Sequence, residues 1–221
     1  MGIKIVLADD HKIVRDGLRT LLEHEPDMEV IAEAEDGRTT VRLARELIPD
    51  LIIMDITMPD MNGIDATHDV MKDVPGVKVI ALSMHSDRRF VTSMLEAGAS
   101  GYLLKDCAFE ELARAVRTVM DDQTYLSPKI ADIIVSRYIK RSMSVESSAF
   151  SVLTQREREV LQLLSESMTT KEVAFHLNVS IKTIETHRRN IMEKLGVHTV
   201  TDLVKYAIRE GLTTLDSKSC R

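Results

Sequence analysis

A chain of 221 residues with 44% hydrophobic and 29% charged residues can bury a core in one large domain or two small ones, which excludes a disordered chain. The longest apolar runs, such as LIIM and KVIAL, are far short of the roughly 20 residues of a membrane span, and Asp9 interrupts the first run before a signal-peptide core develops; a cytoplasmic protein with no membrane partner is expected. The net charge of -6 is uneven: 154–221 carries 11 Lys+Arg against 9 Asp+Glu, or +2, and the remainder -8, compatible with an acidic, cation-binding front and a nucleic-acid-facing rear.

The first 122 residues alternate short apolar runs with segments of helical spacing. Runs over Ile3 to Ala8, Met28 to Ala34, Asp50 to Met54, Val77 to Ser83 and Gly101 to Leu104 predict five strands. Between them, sets such as Val14, Leu18, Leu21 and Leu22, or Val91, Met94 and Leu95, have the spacing of a helix buried on one face. Strands separated by helices imply parallel pairing through right-handed crossovers. The expected fold is therefore α/β, with a five-stranded doubly wound parallel sheet covered on both faces.

Ser127 and Pro128 form a helix-start pair, with Ile130, Ile133, Ile134 and Ile139 following at helical spacing. Next, 142–151 holds five serines in ten residues and no sustained period, so 123–152 reads as a linker helix and flexible hinge. From Thr154 only helical signals remain. TQRE and TTKE fit the capping box, NVS leads into a third helix from Ser180 to Leu195 that Gly196 stops, and a fourth runs from about Thr199 to Arg209. Cys107 and Cys220 show no metal-ligand spacing and are expected to be reduced thiols without a role.

In an open parallel sheet, ligands bind beyond the carboxyl ends of the strands, where the strand order reverses. The predicted strands put Asp9 and Asp10 after the first, Asp55 after the third, Ser83 at the end of the fourth and Lys105 after the fifth, all on one edge. Three carboxylates held together in low dielectric repel by roughly several kcal/mol. A hard divalent cation resolves that repulsion, and Mg²⁺ suits carboxylate, water and phosphate oxygens. A carboxylate beside Mg²⁺, an ammonium and a hydroxyl is equipped to take a phosphoryl group, Asp55 attacking in line and becoming an acyl phosphate.

With the acid pair of ADDH, the acceptor loop MDITMPDMNG, the LS of Ser83 and GYLLKD with Lys105, residues 1–122 resemble the receiver domain of a bacterial two-component response regulator, a flavodoxin-like fold. The resemblance implies that Asp55 is the phospho-acceptor and that Asp9, Asp10 and Asp55 hold Mg²⁺ with the Thr57 backbone carbonyl. It further implies that Ser83 and Lys105 contact the phosphate and that Tyr102 is the switch aromatic. Thr57 also argues against a haloacid-dehalogenase type, which wants a second aspartate at that position. Two departures stand out. Asp106 follows the lysine where many receivers have proline, as in the NarL-type subfamily, and Met84 is larger than the small residue common after the serine. With His85, Met84 is expected to crowd the acyl phosphate and influence how fast water reaches it.

The segments LTQREREVLQLL, TTKEVAFHLNVSIKTIETHRRNIMEKLGV and TDLVKYAI resemble the LuxR/NarL-type four-helix DNA-binding domain, which puts a small all-α helix-turn-helix domain at 153–221. Ser167 stands where that family usually has glycine closing the first helix, so a less tidy turn is expected. In the third helix Ile184, Ile191 and Leu195 share a face that can bury, while Lys182, Glu185, Thr186 and Arg189 fall off it and can enter a major groove. Glu185, Thr186 and Arg189 are assigned to base edges, arginine suiting guanine and glutamate suiting cytosine. Lys171, Thr183, His187 and Lys194 are assigned to phosphates.

The expectation is a DNA-binding regulator of transcription, not an enzyme. A sensor histidine kinase phosphorylates Asp55, and a homodimer forms through receiver surfaces and through Val200, Leu203, Val204 and Ala207 of the last helix. The dimer then reads paired half-sites in double-stranded promoter DNA. Two alternatives stay open: a phosphotransfer relay or phosphatase-like enzyme with a helical docking module in place of a DNA reader, and a phosphorylation-independent DNA binder whose receiver is only a dimerisation scaffold.

Overall fold

The computed structural model describes residues 2–84, 86–106, 108–139 and 152–213. His85, Cys107, Cys220 and the hinge expected over 142–151 lie outside the described residues. The chain divides into two compact units, one built on the sheet and one on the last four helices.

The first unit runs β1 (Ile3–Ala8), α1 (Lys12–Glu23), β2 (Met28–Ala34), α2 (Gly37–Leu47), β3 (Leu51–Asp55), α3 (Gly63–Asp73), β4 (Lys78–Ser83), α4 (Arg88–Glu96), β5 (Gly101–Leu104), α5 (Ala108–Met120), β6 (Tyr125–Leu126) and α6 (Pro128–Ile139). Every ladder is parallel, in the order β2-β1-β3-β4-β5-β6. The order reverses between β1 and β3, which opens a crevice at their carboxyl ends. Register pairs Ala8 with Met54, Asp55 with Leu82 and Ser83 with Leu104, so these strands finish along one edge.

The doubly wound sheet is as expected, but it has six strands and not five. Tyr125 and Leu126 pair with Gly101 and Tyr102, and the Ser127 N–H donates to the Tyr102 carbonyl at 3.1 Å. Two residues are too few to display strand alternation, so sequence alone assigns them to the linker. Ile130 of α6 is fully buried, so the start of the linker helix belongs to the sheet unit.

Apolar runs without alternation reflect a sheet covered on both faces. Ile5, Leu7, Leu51 and Ile53 are at most 1% exposed, and they pack with Leu18 and Leu22 of α1 and with Val116 of α5. Asp36 caps α2 by accepting from the Thr39 N–H, and Asn62 caps α3 by accepting from Ile64 and Asp65.

The second unit contains α7 (Gln155–Ser165), α8 (Thr170–His176), α9 (Ile181–Leu195) and α10 (Val200–Arg209). Both capping boxes form, Thr154 with Glu157 and Thr169 with Glu172. Helix α9 starts at Ser180, whose hydroxyl accepts from the Thr183 N–H, and stops at Gly196 with φ 64°. Ser167 takes φ 69°, a left-handed conformation in which its Cβ is disfavoured; Asn178, at φ 53° in the turn between α8 and α9, tolerates the same region better.

The core of this unit gathers Val160, Leu161, Val173, Ile184 and Ile191 with Leu203 and Ala207. That placement takes Leu203 and Ala207, two of the four residues of the dimer surface expected on the last helix, into the unit's own core. Leu203 and Ala207 are 2% and 0% exposed within their own unit, while Val200 is exposed and Val204 half-buried. An apolar helical face says that something covers it, not whether the cover is the same domain or a second copy.

Candidate acidic site and nucleic-acid interface

Asp55 is the last residue of β3 and 4% exposed, Asp9 follows β1 at 1%, and Asp10 beside it is half-buried. The Lys105 ammonium reaches from beyond β5 to within 2.6 Å of Asp9 Oδ2 and 2.8 Å of Asp55 Oδ2. Crowding at the head of α3 adds a constraint: a Cβ on Gly63 would stand 1.9 Å from the Asp55 carbonyl oxygen, so only glycine lets α3 start beside this strand end. Thr57, two residues past Asp55, donates its N–H to Asp55 Oδ1 at 3.4 Å. Ser83 and Tyr102 are both fully buried, and their side chains are hydrogen bonded to each other. Met84 is 71% exposed.

Burial raises the Asp55 carboxyl from 3.8 to about 7, against the pull of Lys105 and with the push of Asp9. Burial alone lowers Lys105, yet the charges of Asp55 and Asp9 outweigh it and hold the ammonium above its ordinary value. Lysine therefore stays charged, and protonation of Asp55 relieves the excess negative charge. Burial raises the Tyr102 phenol, the bond to Ser83 opposes that rise, and the Asp55 charge adds to it.

Asp9, Asp10, Asp55 and His11 offer ligand atoms that all lie within 4.8 Å of one another. Asp9 Oδ2 and Asp10 Oδ1 are buried, the first 2.6 Å from the Lys105 ammonium and the second 2.7 Å from His11 Nδ1. Hard oxygens with surplus negative charge fit a hard divalent cation. Sequence reasoning assigns no role to His11; its only signal is its position next to the acid pair. It also passes over Arg15, a buried cation of α1 whose helical position reads like a solvated charge.

In the second unit, Lys182, Glu185, Thr186 and Arg189 form the exposed side of α9, while Ile184 and Ile191 are fully buried on the other. This is the division that a groove-entering helix needs. Lys171 on α8 is exposed, and Thr183 and His187 are half-buried. Lys194 has an internal partner: its ammonium lies 2.7 Å from Oε2 of the buried Glu157, the capping-box residue of α7.

A parallel sheet with an acid-and-lysine cluster at its switch point, joined in one chain to a helix-turn-helix unit, defines the class of receiver-controlled DNA-binding proteins. A response regulator receiver domain matches residues 5–117, and the luxR family of bacterial regulatory proteins matches 151–207. The transcriptional regulatory protein DegU of Brevibacillus brevis is 38% identical over 222 residues, covering 95% of this chain and 94% of DegU. The RcsB response regulator of Salmonella typhimurium, solved in a study of conformational dynamism for DNA interaction, has TM-score 0.59 and 27% identity, covering 93% of this chain and 97% of that one. A structure of two RcsB dimers bound to two parallel DNAs has TM-score 0.60 and 26% identity, with 95% and 99% covered. The chain belongs to the response regulators of two-component systems that carry a LuxR-type DNA-binding domain, a family of transcription regulators and not of enzymes. Among the described residues, no helix is long and apolar enough to cross a membrane.

Proposed function

We propose that this response regulator accepts a phosphoryl group on Asp55 from a phosphohistidine of a sensor histidine kinase, then dimerises and binds paired promoter half-sites in the cytoplasm. The observation that carries the reading is the Lys105 ion pair with both Asp55 and Asp9. It gathers an acceptor carboxylate, a neutralising cation and a cation-binding acid pair in one crevice.

In the transfer step an Asp55 oxygen attacks phosphorus, the P–N bond breaks and the imidazole leaves with the bonding electrons. The Lys105 ammonium, 2.8 Å from Asp55 Oδ2, neutralises charge on the phosphoryl oxygens. Asp9, Asp10, Asp55 and the Thr57 carbonyl would hold Mg²⁺, which when bound supplies further neutralisation of those oxygens. The Ser83 hydroxyl donates to a phosphate oxygen and gives up Tyr102. Because Tyr102 already fills the interior, the switch is the loss of its hydrogen bond and not an inward swing of the ring. Tyr102 pairs with Leu126 of β6, so that change lies one ladder step from the segment entering α6.

Glu185, Thr186 and Arg189 read base edges and Lys182 enters the same groove. Lys171, Thr183 and His187 contact phosphates, with Lys194 contributing through whatever N–H groups Glu157 leaves. The RcsB dimers on DNA support a dimeric reader, which addresses half-sites about one helical turn apart.

The test is the intact mass after incubation with Mg²⁺ and acetyl phosphate. The wild-type chain gains one phosphoryl group and Asp55→Asn gains none. Labelling that persists in Asp55→Asn, or folded wild type that takes no phosphoryl group from several donors, overturns the assignment.

A further inference from the structure

Arg15 is 4% exposed and each of its three guanidinium nitrogens has a partner. Nη1 donates to the carbonyl oxygen of Asp9 at 2.5 Å, Nη2 lies 2.6 Å from Glu35 Oε1, and Nε lies 3.2 Å from Glu33 Oε2. These partners come from the turn after β1, from the residue following β2 and from β2 itself, so one side chain of α1 ties three segments together.

The contact to Asp9 is the informative one. That carbonyl belongs to the peptide joining Asp9 to Asp10, and its direction sets how both carboxylates leave the chain. The same residue is held at two further points, its N–H donating to the Ala34 carbonyl at 3.1 Å and its Oδ1 accepting from the His11 N–H at 2.9 Å. Packing of α1 onto the sheet is already supplied by Leu18 and Leu22. A buried guanidinium is retained at the cost of desolvation and needs two carboxylates to offset it, which an apolar residue would avoid. What an apolar residue, or lysine, cannot provide is a planar fork that grips a carbonyl and two carboxylates at once.

We propose that Arg15 is a positioning residue that orients the Asp9–Asp10 peptide for Mg²⁺ binding. The inference rests on the phospho-acceptor reading of the acidic site. Groups that orient metal ligands without touching the metal alter affinity by about 10-fold or more when removed.

The experiment is thermal melting of the full chain against Mg²⁺ concentration without a phosphodonor, since a bound ligand raises the melting temperature according to its affinity. Arg15→Met needs about 10-fold more Mg²⁺ than wild type for the same rise, over and above any change in its Mg²⁺-free melting temperature, and Arg15→Lys falls between. With acetyl phosphate, Arg15→Met labels slowly at low Mg²⁺ and approaches the wild-type rate at saturating Mg²⁺. Arg45→Met, which breaks an exposed ion pair with Asp73, leaves the Mg²⁺ dependence unchanged. Should Arg15→Met not fold, Arg15→Lys and Glu35→Gln, the latter at an exposed carboxylate, must each still weaken the response. Folded Arg15 variants with the wild-type Mg²⁺ dependence overturn the proposal and leave the phospho-acceptor reading intact. Wild-type protein that shows no Mg²⁺ response overturns both.

Discussion

At the acidic site Asp9, Asp55, Ser83 and Tyr102 are 4% exposed or less, whereas on α9 Lys182, Glu185, Thr186 and Arg189 all face solvent. The first group is defined by what it touches inside the chain: Lys105 spans two carboxylates, Ser83 bonds Tyr102, and Gly63 makes room for the end of β3. The second is defined by freedom from packing, with Ile184 and Ile191 anchoring the other side of the helix. A site that works by burial carries a desolvation cost that its own fold must offset. A site that works by exposure needs only a stable helix beneath it, so substitutions should separate stability from function differently in the two regions.

The largest effect expected is at the base of the exposed surface. Leu203→Ala, which opens the core under α9, destabilises the second unit by about 2–5 kcal/mol in urea unfolding; Val200→Ala, on the exposed side of α10, changes it little. Equal, small effects at both positions would return Leu203 to an intermolecular role.

At the acidic site the sign reverses, because the buried charge opposes folding. The folded Asp55 resists ionisation until about 7 while the unfolded chain ionises near 3.8, so stability through this group is present at low pH and is lost as pH rises through that window. Asp55→Asn removes the cost, and its melting temperature, measured without Mg²⁺, rises above wild type by a margin that grows from pH 4 to pH 7. A margin that shrinks across that range contradicts the burial argument.

On the exposed face, Arg189→Ala costs about 1–3 kcal/mol of DNA affinity and relaxes sequence preference at one base pair. Lys171→Ala weakens all sequences alike and lowers the salt slope by about 1. Fluorescence anisotropy over a salt series distinguishes them, and a uniform loss at Arg189 would make it a phosphate contact. Smallest is Ser167→Gly, which relieves a left-handed backbone and raises stability by about 0.5–1 kcal/mol in the same urea assay.

Much of the acidic site is legible from sequence because strand ends are. An apolar run stops at a charged or polar residue, the doubly wound topology sends every such stop to one edge, and Asp9, Asp55, Ser83 and Lys105 follow. The exposed side of α9 is legible for the same reason in reverse, since Ile184 and Ile191 mark the buried side. The short strand β6 is not, because Tyr125 and Leu126 show no period and owe their conformation to hydrogen bonds with β5. Arg15 escapes as well: only the tertiary meeting of α1, β2 and the turn after β1 distinguishes a buried fork from a solvated helix charge. The misassigned faces of Leu203 and Ala207 have a related cause, since periodicity reports burial without naming the partner.

The measurement that most directly joins the two regions is DNA binding by the full chain before and after phosphorylation. Genomic promoter fragments retained by the acetyl-phosphate-treated wild type are recovered, and one is titrated by anisotropy at fixed salt. Phosphorylation of Asp55 as the control of DNA reading predicts tighter binding and a dimer on paired half-sites for the treated wild type, with Asp55→Asn indifferent to treatment. Equal affinity of treated and untreated wild type, on protein shown by mass to be phosphorylated, would contradict it and leave the receiver as a scaffold beside an independent DNA reader.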